Sequence, residues 1–405
     1  MATQRDLDLI RASADGQVER MRSLFGRGAK VNTRLKNGAT PLLAAAVAGR
    51  ADAVQLLLLQ GADLQARYKD DATVLIMAAT QGHEPVVRLL LQKGASHQEQ
   101  TRTGVTPLLA ASIEGHAQVV ESLISAGADV NVTDRQGVTP LIGTAVNGHM
   151  EVTCALLAAG ANVQAKSKSG LTALAAAVAA GVPAVVWVLL EKGADPDTLD
   201  EDERPVLVGA AAAGRCEILP MLLSKGAGIE SADPGGATAL LAATLGGHTA
   251  AIQALLDAKA NPNSAGQGEI TPLIAALVRG HTGVAELLIQ AGADVNRPAG
   301  KGVTPLMVAV NSNPDAVPLL LAHGPEVNAA DQSGISALHA AAAMGRLDVV
   351  RALVASGAAV EQLTASGLTP LSMAEAAGYT DIVDFLNSRH DADARAGSGE
   401  QPDSV

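Results

Sequence analysis

The chain has 405 residues and a formal charge of −12, from 29 Lys and Arg against 41 Asp and Glu. That balance argues against general nucleic-acid binding, which uses clustered bases to displace counterions. Apolar residues make up 48% but aromatics only 1%. The large rings that supply much of the buried area in an ordinary core are therefore missing, and many small aliphatic side chains must be buried in thin, repeated layers. Two cysteines, Cys154 and Cys216, have no metal-type spacing and read as reduced thiols of a cytosolic-type compartment. The opening MATQRDLDLI carries acids and no apolar stretch, so neither a secretory signal nor an Arg- and Ser-rich transit peptide is expected.

One leucine recurs along the chain at Leu9, Leu42, Leu75, Leu108, Leu141, Leu174, Leu207, Leu240, Leu273, Leu306, Leu338 and Leu371. Each step is 33 residues except the 32 from Leu306 to Leu338, which makes twelve copies of one unit. The first is a worn copy whose charges (Arg5, Asp6, Asp8, Arg11, Glu19, Arg20, Arg22) suit a solvated outer face. The fourth shows the unit best, as GVTPLLAASIEGHAQVVESLISAGADVN, residues 104–131. Thr106 is a natural N-cap and Pro107 sits at the first helical position, where its missing N–H is harmless. A short apolar helix ends at Gly115, and a second helix places Val119, Val120, Leu123 and Ile124 on one face before Gly127. The polar stretch Ala128–Gly137 then turns back towards the next Thr-Pro-Leu.

Further along, residues 171–190 read LTALAAAVAAGVPAVVWVLL, twenty residues without a charge and long enough for a bilayer-spanning helix at ~20 residues. In register, however, Gly181 is the glycine between the two helices and Val182-Pro183 begins the second, so a helix pair is expected and no membrane span. The seventh copy replaces Thr-Pro-Leu with Pro205-Val206-Leu207 and puts Pro220 inside its second helix. The tenth is one residue short and carries Pro314 and Pro318. Each proline should remove a helix hydrogen bond or shift the helix start, loosening the segments 204–223 and 310–320. The last copy bears Glu375, Asp381 and Asp384, which suit a solvated end. Beyond His390 the tail DADARAGSGEQPDSV lacks apolar content and is expected to be disordered. Its final Asp-Ser-Val faintly resembles a PDZ-domain ligand, against the plainer reading of a solvated tail.

The G-x-TPL…AA…GH…VV…LL…GAD-VN pattern resembles the ankyrin repeat over roughly residues 5–389. The resemblance implies an all-α ankyrin-repeat solenoid of helix-turn-helix units with projecting β-hairpin-like loops. It implies a repeat domain over 1–390, with an N-terminal cap at 1–36, internal repeats at 37–365, a C-terminal cap at 366–390 and the tail at 391–405. One departure is systematic: the family's His after Thr-Pro-Leu is aliphatic at Leu43, Ile76, Leu109, Ile142, Leu241 and Ile274, and is His only at His339. Such repeats usually bind proteins. A non-catalytic interaction module or scaffold is therefore expected, the alternative being a substrate-recruiting subunit of an enzyme complex such as a ubiquitin ligase. No F-box-, SOCS- or BTB-like segment is visible. The family also admits hydroxylation of the V-N asparagines Asn131, Asn296 and Asn328, although Asn equally suits the turn.

The residues themselves offer no chemistry. His83, His116, His149, His248 and His281 fall at one identical turn, which points to structure rather than metal ligation. Gly266-Gln267-Gly268 lacks any phosphate-binding context. No catalytic residue, cofactor, metal or small-molecule substrate is expected, and the compartment implied is the cytoplasm, with the nucleus as alternative.

Binding remains, on three surfaces. The two places before each inter-helix glycine (Val47-Ala48, Thr80-Gln81, Ile113-Glu114, Val146-Asn147, Ala179-Ala180, Ala212-Ala213, Leu245-Gly246, Val278-Arg279) are small and mostly apolar. They read either as a groove for an apolar segment of a partner or as an alanine-rich face under little demand. The first five junctions hold the bases Arg34, Lys36, Arg67, Lys69, Arg102, Arg135, Lys166 and Lys168 against the acids Asp70, Asp71, Glu99 and Asp134. That is eight minus four, +4, in an acidic chain. The sixth, 197–203, holds five acids and no base. Charge steering of a partner and plain solvation both account for this. Finally, Tyr68 lies between Arg67 and Lys69, and Trp187 takes a second-helix place filled elsewhere by Gln55, Arg88, Glu121 and Gln253. Both are of the residue types enriched at hot spots, unless each lies flat on a neighbouring repeat. The candidate partner-binding residues are thus Tyr68, Arg67, Lys69, Arg34, Lys36, Arg102 and Trp187.

Overall fold

The computed structural model describes residues 3–398, and of 390–398 only the backbone. Twenty-four α-helices lie among the described residues, in twelve pairs matching the twelve sequence copies. They gather into two compact units, Met1–Val206 with Ser224–Gly226, and Leu207–Leu223 with Ala227–Val405. The division falls in the seventh copy, the one with Pro205-Val206-Leu207 at its helix start.

Each pair forms for the reasons its residues give. In the fourth, α7 (Pro107–Glu114) starts on Thr106, whose side chain accepts the Leu109 N–H at 3.2 Å, and stops at Gly115 with φ of 81°. The same threonine cap recurs at Thr40, Thr73, Thr139, Thr172, Thr238, Thr271, Thr304 and Thr369, at 3.1–3.4 Å. The second helix, α8 (Ala117–Ser125), buries Val119, Val120 and Leu123. The uncharged twenty-residue stretch is likewise divided. Gly181, at φ of 71°, separates α11 (Ala173–Ala180) from α12 (Pro183–Glu191). No helix among the described residues is long and apolar enough to cross a membrane.

What ties one pair to the next is a side chain placed just after the inter-helix glycine. The last carbonyls of a helix have no partner within it. Here the following repeat supplies one: His83 Nε2–H donates to Val47 O at 2.8 Å, His116 to Thr80 O at 3.0 Å, His149 to Ile113 O at 3.0 Å and His248 to Ala212 O at 2.9 Å. Arg50 and Arg346 do the same to Ala14 O and Asn311 O, at 3.2 and 3.3 Å. Glycine at 115 is therefore required twice over. Its φ is left-handed, and a Cβ there would stand 2.5 Å from Nδ1 of His149.

The V-N asparagines form a second tie. Asn131 accepts the Asn162 N–H at 2.7 Å and donates to Gly160 O at 3.4 Å. Asn328 makes the equivalent pair with Ala359 N–H and Gly357 O, at 2.7 and 3.1 Å. The single family-type histidine, His339, is fully buried. Its Nδ1 accepts from the Ser336 N–H and hydroxyl, so Nε2 carries the proton and donates to Leu368 O at 3.2 Å.

Four details differ from, or refine, the sequence expectations. Asp6 is not a solvating charge: it is 4% exposed and accepts the Thr3 and Lys30 N–H groups at 2.9 and 3.1 Å. Pro220 delays its helix, α14 (Ile218–Ser224), by two residues relative to α12. In the tenth pair Pro314–Ala316 form a 3₁₀ turn, and α20 (Val317–Ala322) shrinks to 6 residues. The last helix, α24 (Thr380–Ser398), carries the backbone through 391–398, the first part of the expected tail, while 399–405 lie outside the described residues.

Two predictions follow from these local departures. The short α20 has fewer hydrogen bonds to break than α18 (Thr282–Gln290), so its amides should exchange about tenfold faster, equivalent to ~1.4 kcal/mol. Equal protection of the two helices in hydrogen-exchange mass spectrometry would refute this. The Thr3 and Lys30 N–H groups hold the Asp6 carboxyl below its ordinary range. A depressed folded value contributes stability above the unfolded value of 3.8, lost as pH falls through the folded one. Asp6→Ala should therefore destabilise the first repeats by about 1–2 kcal/mol at neutral pH, with the deficit vanishing in strong acid. Urea unfolding at several pH values reads this directly.

Candidate functional site

The junctions between pairs are tight antiparallel turns. Leu35 donates its N–H to Ala39 O at 2.9 Å, Tyr68 to Ala72 O at 2.9 Å, Thr101 to Val105 O at 3.0 Å, Asp134 to Val138 O at 3.1 Å and Ser167 to Leu171 O at 2.9 Å. Neighbouring turns also bond to one another. The N–H groups of Arg102, Arg135 and Lys168 donate to Asp70 O, Thr103 O and Gln136 O at 2.9, 2.9 and 2.8 Å. The first unit thus carries a hydrogen-bonded edge of stacked hairpin tips.

On this edge the structure brings together six of the seven sequence candidates, in two columns. Arg34 and Arg67 are held within the edge itself. Arg34 donates to Arg67 O; Arg67 donates to Asp71 O at 3.1 Å and pairs with Glu99, a residue of the next junction. Tyr68 is half-buried, and its Cδ2 lies 3.6 Å from where a Cβ of Gly38 in the preceding tip would stand. It therefore packs against its neighbour. Lys36 and Lys69 point outward, exposed and without an ion-pair partner among the described residues. Arg102 is exposed too, but its Nε donates to Asp71 at 2.9 Å. That hydrogen bond holds the Asp71 carboxyl below, and the Arg102 guanidinium above, their ordinary ranges. Asp71 stands where Gly38, Gly104, Gly137 and Gly170 stand in sister tips, and keeps their left-handed backbone with φ of 57°. Such a conformation is costly for a residue with a Cβ.

Two bases counted in the junction charge but left out of the candidate list complete the outer column. Lys36, Lys69, Arg102, Arg135 and Lys168 are each 33 residues apart, at one place of five successive tips, and all five are exposed. Comparing tips place by place, rather than summing their charge, is the signal that finds Arg135 and Lys168. The sixth tip reverses the sign with Glu201, which receives the Ser169 hydroxyl at 3.0 Å. Its acidity is weaker than the count of acids implies, because Arg204 folds back to Asp200 and Asp202 at 3.0 and 2.9 Å.

Trp187 lies apart from this edge, on the outer side of α12. It is 46% exposed, with Lys225 Nζ 5.8 Å from its ring centre and Glu191 holding that ammonium at 2.9 Å. The inner faces show scattered exposed aliphatics: Val146 in the first unit, and Leu245, Val278 and Met344 in the second, at 39–55%. Two open clefts complete the surface. One, of about 650 Å³, lies between α6 (Glu84–Gln92) and α8 and is largely polar, with Ser122 donating to Glu84 at 3.1 Å. The other, of about 610 Å³, lies beside the shortened tenth pair, where half-buried Leu347 and Val349 line it with Pro318. Among the described residues no cluster of three or more His, Cys, Asp or Glu is placed to hold a metal ion.

The family description "Ankyrin repeats (3 copies)" matches residues 9–101, 52–134, 108–200, 207–299, 247–331 and 306–396. The chain belongs to the ankyrin repeat family. Comparison with individual curated proteins gives no match. Ankyrin repeats are, as a class, protein–protein interaction modules, built to present surface and typically without catalytic chemistry.

Within the tip edge, inward and outward bases should behave differently. Arg67→Ala removes bonds to two neighbouring strands of the edge and should speed exchange of the Tyr68 and Arg102 amides about fivefold, the effect of ~1 kcal/mol. Lys69→Ala should leave both unchanged; equal effects of the two variants would show that Arg67 is not structural.

Proposed function

We propose that the chain is a non-catalytic protein-interaction module, working in the cytoplasm, whose first unit engages a protein partner along its hairpin tips. The observation that carries this reading is the outer column of exposed bases, four of them without an ion-pair partner among the described residues, in a chain of net charge −12. Exposed charges of one sign arranged in line raise encounter rates with a complementary partner and fix its orientation. The apolar inner places, Val146 above all, offer a neighbouring contact for the same partner. Arg34, Arg67 and Tyr68 serve this surface by holding its shape, and Lys36, Lys69 and Arg102 by facing the partner. Trp187 belongs to a separate outer face.

The test is affinity capture from native lysate with the wild-type chain and a Lys69→Glu/Arg135→Glu/Lys168→Glu variant, whose fold is checked by circular dichroism. Arg67 is left intact because its loss would disturb the edge. Partners retained by wild type and lost by the folded variant place binding on the tips. Identical partner sets from both would reject the tip surface.

A further inference from the structure

The column of bases has a definite pitch, and we propose that it reads an acidic segment in the polyproline II conformation, with a carboxylate at every third residue. This rests on the interaction-module reading and names the chemistry of the partner. Each tip contributes two antiparallel arms, and consecutive tips are hydrogen-bonded to each other through Arg102, Arg135 and Lys168. Equivalent places are therefore two strand spacings apart, roughly 9–10 Å.

Few chain conformations present one side chain on one face at that interval. Polyproline II does so directly, with three residues per turn and ~3.1 Å rise, hence about 9.3 Å between residues i and i+3. A β-strand covers a similar distance in three residues, but its side chains alternate, so i and i+3 face opposite ways. An α-helix meets the column only at every seventh residue, ~10.5 Å apart, and drifts about 20° around its axis at each step. Over the four bases from Lys69 to Lys168, whose tips these bonds join, only the threefold helix stays in register.

The run of bases is not imposed by the fold. The same place holds Glu201 in the sixth tip, Pro234 in the seventh and Gln267 in the eighth. The Gln267 N–H still donates to Gly235 O at 3.0 Å, the bond that Lys168 makes to Gln136 O. A tip folds with any of these residues, so five bases in succession are free of structural demand. Glu201 ends the run and calls for a base or a neutral residue three places beyond the last acid of the segment. A nucleic acid fits poorly: it carries a charge every ~1.7 Å as a duplex and every ~3.4 Å per strand, and is best met by a dense patch, whereas this column is widely spaced and interrupted by Asp70 and Asp134.

The experiment uses the full chain and fluorescein-labelled synthetic peptides, read by anisotropy at low salt. One peptide carries five glutamates at every third residue on a proline-rich background. A second has the same composition with its glutamates in one block, and a third is an alanine-rich helix with glutamates at every seventh residue. The threefold peptide is expected to bind about tenfold tighter than either control. That preference should disappear in Lys69→Gln/Arg135→Gln/Lys168→Gln, which leaves the Arg102–Asp71 pair in place. Equal binding of the first two peptides would reduce the column to bulk charge and overturn the proposal. So would tighter binding of the helical peptide, of a single-stranded oligonucleotide of equal charge, or of none of them. If the peptides fail while lysate capture still depends on the column, only the register is lost; if capture is indifferent as well, the tip surface itself is wrong.

Discussion

No helix pair of this chain can bury its own apolar face. From the second pair on, the first helices are 7 or 8 residues long, too short to persist alone, and in α11 Ala173 to Val178 are all buried. Their partners are the equivalent helices of adjacent repeats, so the favourable terms lie between units of sequence rather than within them. The hydrogen bonds obey the same constraint. A carbonyl left open at the end of one first helix is met by His83, His116 or His149 of the next repeat, and an asparagine of one junction is met by the backbone of the following one. Such one-directional ties mean that a defect is felt chiefly by the repeat on either side of it.

That constraint also decides which residues are free to vary. Places inside the stack hold Leu, Val, Ala and Thr with little change, whereas tips and outer helix faces can hold almost anything polar. Within the tips a further division appears only in three dimensions. Arg67 is consumed by Asp71 O and Glu99, and Arg102 is half-committed to Asp71, while Lys36, Lys69, Arg135 and Lys168 are not consumed at all. The charge sum of +4 is unaltered by this sorting, but its location changes. The surplus sits on the outer column, where it can meet another molecule.

Much of this architecture was legible in the sequence because it rests on local chemistry repeated twelve times. Thr-Pro-Leu announces a capped helix start wherever it occurs, and Gly181 divides an otherwise membrane-like stretch because ten of its eleven sister copies carry glycine at that place. Exposure of Trp187 was legible for the same reason, from Gln55, Arg88 and Glu121 at its place. What could not be read were contacts that depend on where a long side chain goes after leaving the backbone. Asp6 looks like one of seven solvating charges, and its burial follows from the backbone of Lys30, 24 residues away. Tyr68 looks stranded among bases, yet a glycine one repeat earlier gives its ring a seat. The pairing of Arg67 with Glu99 spans 32 residues and has no counterpart in sister junctions to reveal it.

The tips that break the glycine rule show how such departures are tolerated. Asp71, Glu203 and Glu269 all hold φ near +60° where most tips use glycine. Each such residue costs on the order of 1 kcal/mol, a cost small enough for a stack of repeats to absorb locally. At Asp71 the carboxylate gives something back, since it accepts Arg102 from the next tip and links two rungs of the edge. Arg102 is thereby the most fixed of the five column bases and stands at its centre, with two exposed bases outside any ion pair among the described residues on either side. A surface with one anchored guanidinium and unpaired flanking ammonium or guanidinium groups can set register at its middle while leaving its ends open to the partner's charges, which is what recognition of an extended segment requires.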